Sequence, residues 1–169
     1  MNRSENARAF CRLLAENPVI AAIKDEEGLA RCLESDCQVV FILYGTICDI
    51  GEIVARIQQA GKFPVVHLDL VSGLTPKEIS VDFICTHTGA QGIISTRPGV
   101  IKYARQKGLL AIQRFFIIDS RALETMFRQL ETAAPDILEI LPGVMPRITR
   151  SIQKKSPVPV IASGLILDK

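Results

Sequence analysis

The stretch PVVHLDL, residues 64–70, decides the fold class of this chain. Its polar residues His67 and Asp69 alternate with apolar neighbours, so the two sets of side chains point to opposite faces of a strand. Glu139 lies in the same way between two apolar residues of a later run. If the apolar residues pack on helices, the three polar residues face the inside of a barrel. The pattern therefore favours a closed β/α barrel.

Working outward from this stretch, short apolar runs alternate with segments whose apolar residues recur every three or four positions. The runs predict seven strands, at residues 19–23, 39–43, 64–70, 92–95, 109–116, 137–141 and 159–162. The other segments predict helices at 26–33, 50–60, 98–107, 121–132 and 145–155, with one more starting near residue 75. Strict alternation implies a parallel sheet. No Gly-x-Gly-x-x-Gly turn follows the first strand, which disfavours a dinucleotide-binding sheet. We predict an α/β protein with a TIM-type (β/α)8 barrel.

Two helix starts carry capping-box patterns. Asp49 is followed three residues later by Glu52, and Thr75 is followed by Pro76 and Glu78. In such a box, each side chain accepts a hydrogen bond from an otherwise unpaired amide at the start of the helix. Both helices are therefore predicted to begin at these positions.

Length and composition indicate one domain over residues 1–169 with a large apolar core, since 48% of the residues are hydrophobic. The five cysteines form no Cys-x-x-Cys pair, and there is no signal-peptide or membrane-spanning apolar run, so we expect a cytoplasmic protein without a metal site. The chain stops where a seventh helix should begin, so the barrel is expected to be truncated after strand 7. The exposed edge makes a homodimer plausible.

In β/α barrels the catalytic and ligand-binding residues follow the C-terminal ends of the strands. Ser163-Gly164, after the last strand, is a typical phosphate position because a glycine lets backbone amides approach the phosphate oxygens. Lys24 and Arg97 could add cationic contacts, or form surface salt bridges instead. The other strand-end candidates are Ser95, Gln113, Arg114 and Gly143.

His67, Asp69 and Glu139 admit two interpretations. They could be an acid/base set or metal ligands, because groups on neighbouring strands converge in a barrel mouth. Alternatively they form a polar network, with Asp69 accepting from loop amides and Glu139 paired with Lys24 or Arg114. We favour such a network, or contacts with ligand hydroxyls, over catalysis, since no spacing here is diagnostic of a reaction.

Basic residues at helical spacing are the only intrinsic sign of a nucleic-acid surface. Arg147, Arg150 and Lys154 are spaced by three and four residues, which places them on one helix face. A solvated helix surface explains the same pattern, and net charge is only +2. The residues alone therefore leave RNA binding open.

Five segments at consecutive strand ends identify a resemblance over essentially the whole chain. They are HLDLVSGL (67–74), GIISTR (92–97), AIQRFFIIDS (111–120), EILPGVMP (139–146) and PVIASGLI (159–166). In order and spacing they closely resemble the glycerol uptake operon antiterminator regulatory family. The resemblance implies a degenerate (β/α)8 barrel that is not an enzyme, that needs no cofactor, and that responds to glycerol 3-phosphate. It implies action on the leader mRNA of glycerol-utilisation genes.

The resemblance also implies roles for the strand-end residues. Ser163 and Gly164 would hold the phosphate, while His67, Asp69 and Glu139 would contact the glycerol hydroxyls, and Arg97 or Arg114 would order the mouth around the anion. Two other interpretations stay open. One is a glycerol-phosphate enzyme on the same scaffold, such as a glycerophosphodiester phosphodiesterase-like barrel. The other is a metabolite-sensing module that contacts another protein.

Overall fold

Seven strands alternate with helices along the chain. The computed structural model describes residues 5–166. The strands are β1 (Ile20–Ile23), β2 (Val39–Ile42), β3 (Phe63–His67), β4 (Gly92–Ser95), β5 (Leu110–Phe116), β6 (Ile137–Leu141) and β7 (Val160–Ala162). The α-helices are α1 (Glu5–Glu16), α2 (Glu26–Glu34), α3 (Ile50–Gln59), α4 (Glu78–His87), α5 (Pro98–Gln106), α6 (Ser120–Ala133) and α7 (Pro146–Lys155).

The strands form one parallel sheet in the order β1-β2-β3-β4-β5-β6-β7. Each strand pairs with the next one in sequence, and helices α2 to α7 return the chain from one strand to the next. This is the connectivity of a (β/α)8 barrel, with seven strands present in the described range. The predicted fold class is confirmed. The truncation predicted after strand 7 concerns the end of the chain, residues 167–169, which lies outside the described residues.

Strand register separates the sheet into two faces. Ile112 lies beside Ile94 on one side and Ile137 on the other, and all three belong to the inner core. Val66 and Ile93 are register partners on the outer face, where they pack with the helices. His67 and Glu139 fall on the inner face with the first set, as the alternation of PVVHLDL predicts.

Helix α1 fills the barrel interior at the N-terminal ends of the strands. The Phe10 ring is fully buried, stacked on Phe41 at a centroid distance of 6.5 Å and edge-on to Phe63 at 5.8 Å. Ala7, one turn earlier, is also fully buried. The sequence analysis assigned no element to this segment, although Ala7, Phe10, Cys11 and Leu14 have helical spacing.

Apart from the helix predicted to start near residue 75, the other predicted bounds agree with the structure to within one residue, with one exception. The strand predicted at 64–70 ends at His67, and residues Leu68–Leu70 form a turn of 3-10 helix. Asp69 is therefore not on the strand face, and its side chain is free to reach the next loop. No helix in the described range is long and apolar enough to cross a membrane.

Neither predicted capping box forms, although α3 does begin directly after Asp49, as predicted. The Asp49 carboxylate accepts from the amide of Thr46, before the helix, and caps no helical amide. Helix α4 begins at Glu78, and the Thr75 amide donates to the Ser80 hydroxyl instead. The aspartate caps that do form are at α2 and α6, which the sequence analysis did not single out.

Candidate ligand site at the barrel mouth

The inner face of β5, β6 and β7 carries a buried ion pair at its C-terminal end. Arg114 donates to both carboxylate oxygens of Glu139, from Nε at 2.7 Å and from a terminal nitrogen at 2.9 Å. The Ser163 hydroxyl, which follows β7, donates to Glu139 Oε1 at 2.7 Å. Glu139 is fully buried and Arg114 is 8% exposed. The predicted pairing of Glu139 with Arg114 is confirmed, and it fixes three strands to one another.

His67 ends β3 on the same inner face and is 3% exposed. Its Nδ1 is buried and has no hydrogen-bond partner among the described residues. Burial, together with the charge of Arg114, lowers the pKa of His67 to about 4, so the ring is neutral at physiological pH. A buried nitrogen without a partner costs free energy that a ligand hydroxyl could recover.

Asp69 fixes the loop that follows β4. Its carboxylate accepts from the Ser95 hydroxyl at 2.6 Å and from both the amide and the hydroxyl of Thr96 at 2.8 Å. Ser95 in turn accepts from the Arg97 amide at 3.1 Å. The predicted acceptance of loop amides by Asp69 is confirmed. With three donors already bound, Asp69 acts on the mouth through the β4–α5 loop, which carries Arg97.

The loops after β6 and β7 touch each other through glycines. The Gly143 amide donates to the Gly164 carbonyl at 3.1 Å, and Gly164 adopts φ +75°. A Cβ at Gly143 would lie 3.0 Å from the Ser163 nitrogen, so no larger residue fits there without a shift. The Ser163 amide donates to the Ile140 carbonyl. The amides of Gly143 and Ser163 are therefore already bonded to backbone.

Two cations at the mouth are exposed and form no ion pair in residues 5–166. Lys24 follows β1 and Arg97 follows β4. The salt bridges of the described residues involve other cations, so the alternative of surface salt bridging does not hold for these two. Both side chains remain available to an anion at this end of the barrel.

Two predicted ligand contacts lie on the other side of the sheet. Ser95 and Gln113 are register partners, one residue out of phase with the inner-face Ile94 and Ile112. Both are fully buried, and Gln113 donates to Gln129 of α6 at 3.0 Å. Gln113 therefore does not belong to the mouth, and Ser95 acts there only through Asp69. Strand parity in the sequence would have separated both from Arg114.

The predicted RNA contacts project from α7. Arg147, Arg150 and Lys154 are exposed, while Ile152 of the same helix is buried against the core. The helix carries four basic residues and no acidic one. Among residues 5–166, no three His, Cys, Asp or Glu side chains come together as a metal site. The carboxylate-metal cluster of a phosphodiesterase-like barrel therefore has no counterpart in this range.

Comparison with solved structures identifies the class of protein first. The fold is similar to that of 3-dehydroquinate dehydratase from Enterococcus faecalis, with a TM-score of 0.59 at 12% identity over 86% of this chain and 79% of that one. At this identity the similarity shows a TIM-like β/α fold alone. The molecule is thus a β/α-barrel protein with a polar site at the mouth.

Sequence comparison then identifies the family. Residues 19–169 match the sequence model of the glycerol-3-phosphate responsive antiterminator family, and the chain belongs to that family. The glycerol uptake operon antiterminator regulatory protein from Listeria monocytogenes has 36% identity and a TM-score of 0.86, over 90% of this chain and 83% of that one. The uncharacterized protein YgcP of Escherichia coli is 43% identical over 157 residues, which are 93% of this chain and 82% of that protein.

Family membership confirms the resemblance and makes the chain a regulator of transcription rather than an enzyme. The strand-end segments that carry the resemblance are the same ones that build the mouth. One contact of this site was missed in the sequence analysis. Thr96 supplies two of the three donors to Asp69, and its position directly after β4 was the available signal.

Proposed function

We propose that the chain binds glycerol 3-phosphate at the barrel mouth and, in response, acts on the leader mRNA of glycerol-utilisation genes as an antiterminator. The observation that carries the proposal is the buried, unpartnered Nδ1 of His67 at a mouth where Lys24 and Arg97 are free of ion pairs within the described range. A small ligand with a hydroxyl at one end and a dianion at the other satisfies both features.

The ligand would lie with its glycerol end toward His67 and its phosphate toward the loops. A neutral imidazole offers one donor and one acceptor, either of which a hydroxyl can satisfy. The phosphate would meet Arg97, held in place through Asp69, and Lys24 across the mouth. Arg114 is neutralised by Glu139, so it would contribute at most its remaining N–H groups. Ser163 and Gly164 would border the phosphate at the edge of β7.

Calorimetric titration of the protein with glycerol 3-phosphate, and separately with glycerol, tests the effector site. We expect saturable binding of the phosphorylated ligand only. Arg97→Gln and Lys24→Gln should each weaken it by roughly tenfold, the value of one charge-assisted hydrogen bond. Arg31→Gln, which removes a cation from the outer surface of α2, is the matched control. Ser163→Asp should abolish binding, since it adds a negative charge beside Glu139. If the folded protein gives no heat with glycerol 3-phosphate, the assignment of this effector is wrong.

The RNA contact is proposed for the basic face of α7. A cluster of cations without acidic neighbours releases counterions when it binds a nucleic-acid backbone. Replacing Arg147, Arg150 and Lys154 with Gln should therefore weaken binding of the leader mRNA and lower the slope of log affinity against log salt by about 2. Arg8→Gln with Arg12→Gln, two exposed arginines of α1, is the control. An unchanged slope in the α7 variant would move the RNA surface elsewhere.

A further inference from the structure

A cavity beside the mouth opens at the C-terminal end of β5. It has a volume of about 410 Å³ and lies between the end of β5 and the first turns of α6. Sites for small organic ligands fall in roughly this range, about 300–1,000 Å³. The cavity borders the proposed effector site through Thr96 and Arg114, but its α6 wall, with Thr125 and Gln129, is not part of that site.

One wall of the cavity is aromatic, and the facing wall carries an amide and a hydroxyl. Phe116 lines it and is 54% exposed, although most large apolar side chains of the sheet are buried. Gln129 and Thr125, one turn apart on α6, line the facing wall. The side-chain oxygen Oε1 of Gln129 accepts from Gln113 Nε2 at 3.0 Å. This bond orients the side-chain amide of Gln129 and leaves its Nε2 free to donate.

A buried acceptor without a partner lies behind this wall. Gln113 is fully buried, and its Oε1 has no hydrogen bond within the described part of the chain. Buried amide oxygens normally have a partner, since an unsatisfied one costs free energy. A ligand that engages Gln129 would let the Gln113–Gln129 pair rearrange and satisfy this oxygen.

The rim of the cavity carries a cation, Arg121, and a carboxylate, Asp119, whose Oδ1 accepts from the Ala122 amide. Arg121, in the first turn of α6, is exposed and lines the opening. A flat wall, an oriented amide, a hydroxyl and an arginine at the rim match the parts of a nucleotide. The ring stacks on the aromatic side chain, the edge of the ring meets the amide, and the phosphate meets the guanidinium.

We propose that this cavity seats one unstacked base of a single-stranded RNA, an inference that rests on the proposed RNA function. The seat also touches the effector site. Thr96 lines the cavity and donates to Asp69, and Arg114 lines it while bonded to Glu139. A ligand that displaces either residue at the mouth therefore alters a wall of the seat, which couples the two sites.

Fluorescence anisotropy with labelled homopolymeric RNAs of A, C or U, each about 12 nucleotides long, tests the seat. The wild-type protein should prefer one base by roughly tenfold, because edge contacts to one base carry the discrimination. Gln129→Leu should bring the three affinities within about twofold, and Phe116→Ala should weaken all of them by roughly tenfold. Gln59→Leu, an exposed glutamine of α3, should change nothing.

The outcomes separate the seat from the function on which it rests. If the wild-type protein binds neither these RNAs nor the leader mRNA, the proposed RNA function fails. If it binds RNA but shows no base preference, or keeps its preference in Gln129→Leu, the seat is wrong and the RNA function stands. A thermal melt of each variant detects a folding defect. Thr125→Val is a second variant of the cavity, and it should reduce the base preference as Gln129→Leu does.

Discussion

The two ends of the barrel interior are built by the same strands and are filled in opposite ways. At the N-terminal end, Phe10 of α1 closes the space against Phe41 within a cluster of buried hydrophobic residues. At the C-terminal end, Arg114 and Glu139 occupy the space as an ion pair, and His67 keeps a nitrogen unpartnered within the described range. One end therefore supplies packing energy, and the other retains polar groups that a ligand can satisfy.

Truncating the Phe10 ring, the apolar plug at the N-terminal end of the barrel, should give the largest loss of stability. Phe10→Ala removes a fully buried ring, so we expect the free energy of unfolding to fall by about 4 kcal/mol in urea denaturation. Phe116→Ala, at a ring that is 54% exposed, is the matched control and should cost less than about 1 kcal/mol. Equal losses of stability in the two variants would show that the packing of α1 at the N-terminal end of the barrel does not stabilise the fold.

Breaking the ion pair on one side should cost slightly less. Glu139→Leu leaves the Arg114 guanidinium buried without its partner, and we expect a loss of about 3 kcal/mol in the same denaturation experiment. The double variant Glu139→Leu with Arg114→Met should recover most of it, since no charge then stays buried. A double variant as unstable as the single one would mean that the pair stabilises the barrel outright, as the apolar plug does.

The pH dependence of stability should report His67 directly. Its pKa is lowered from 6.5 to about 4 in the folded protein, so below pH 6.5 the unfolded chain binds a proton that the folded chain does not. Stability is therefore complete above pH 6.5 and falls toward pH 4, by about 2–3 kcal/mol at pH 4.5. His67→Asn should remove this part of the slope, and a variant with the wild-type profile would refute it.

The smallest effect is expected at Ser163. Ser163→Ala removes the hydroxyl that donates to Glu139 but leaves the two bonds from Arg114, so the loss should be about 1 kcal/mol in urea denaturation. Thr149→Ala, which removes a hydroxyl bonded to the Met145 carbonyl in α7, is a suitable control for hydroxyl loss. Less destabilisation at Ser163 than at Thr149 would indicate that the bond from Ser163, directly after β7, adds nothing to the stability of the Arg114–Glu139 ion pair.

The polar end of the barrel was more predictable from the sequence than the apolar end. Alternation along a strand has a period of two, so the residue pattern alone places His67 and Glu139 on the inner face. The same rule places Arg114, which pairs with Glu139. The helical spacing of Ala7, Phe10 and Leu14 would have indicated a helix at α1, but not that this helix packs inside the barrel rather than on its surface.

Local hydrogen-bond choices were the least predictable features. Asp49 and Thr75 have capping-box spacing, yet their polar atoms pair with Thr46 and Ser80 instead. Short polar side chains have several backbone partners within reach, and tertiary packing decides among them. For Asp69 the acceptance of loop amides was predicted, but its particular donors were not, since they lie 26 and 27 residues further along the chain, at the end of β4 and just after it.

Nitrogen-15 NMR of the imidazole rings during titration with glycerol 3-phosphate tests the central claim most directly. The chain has two histidines, and His87 on α4 stacks on Phe83, so it serves as an internal control. We predict that the His67 Nδ1 resonance shifts saturably with the phosphorylated ligand while the His87 resonances do not move. Saturable binding by calorimetry with an unchanged His67 signal would place the effector outside the polar end of the barrel and contradict the account.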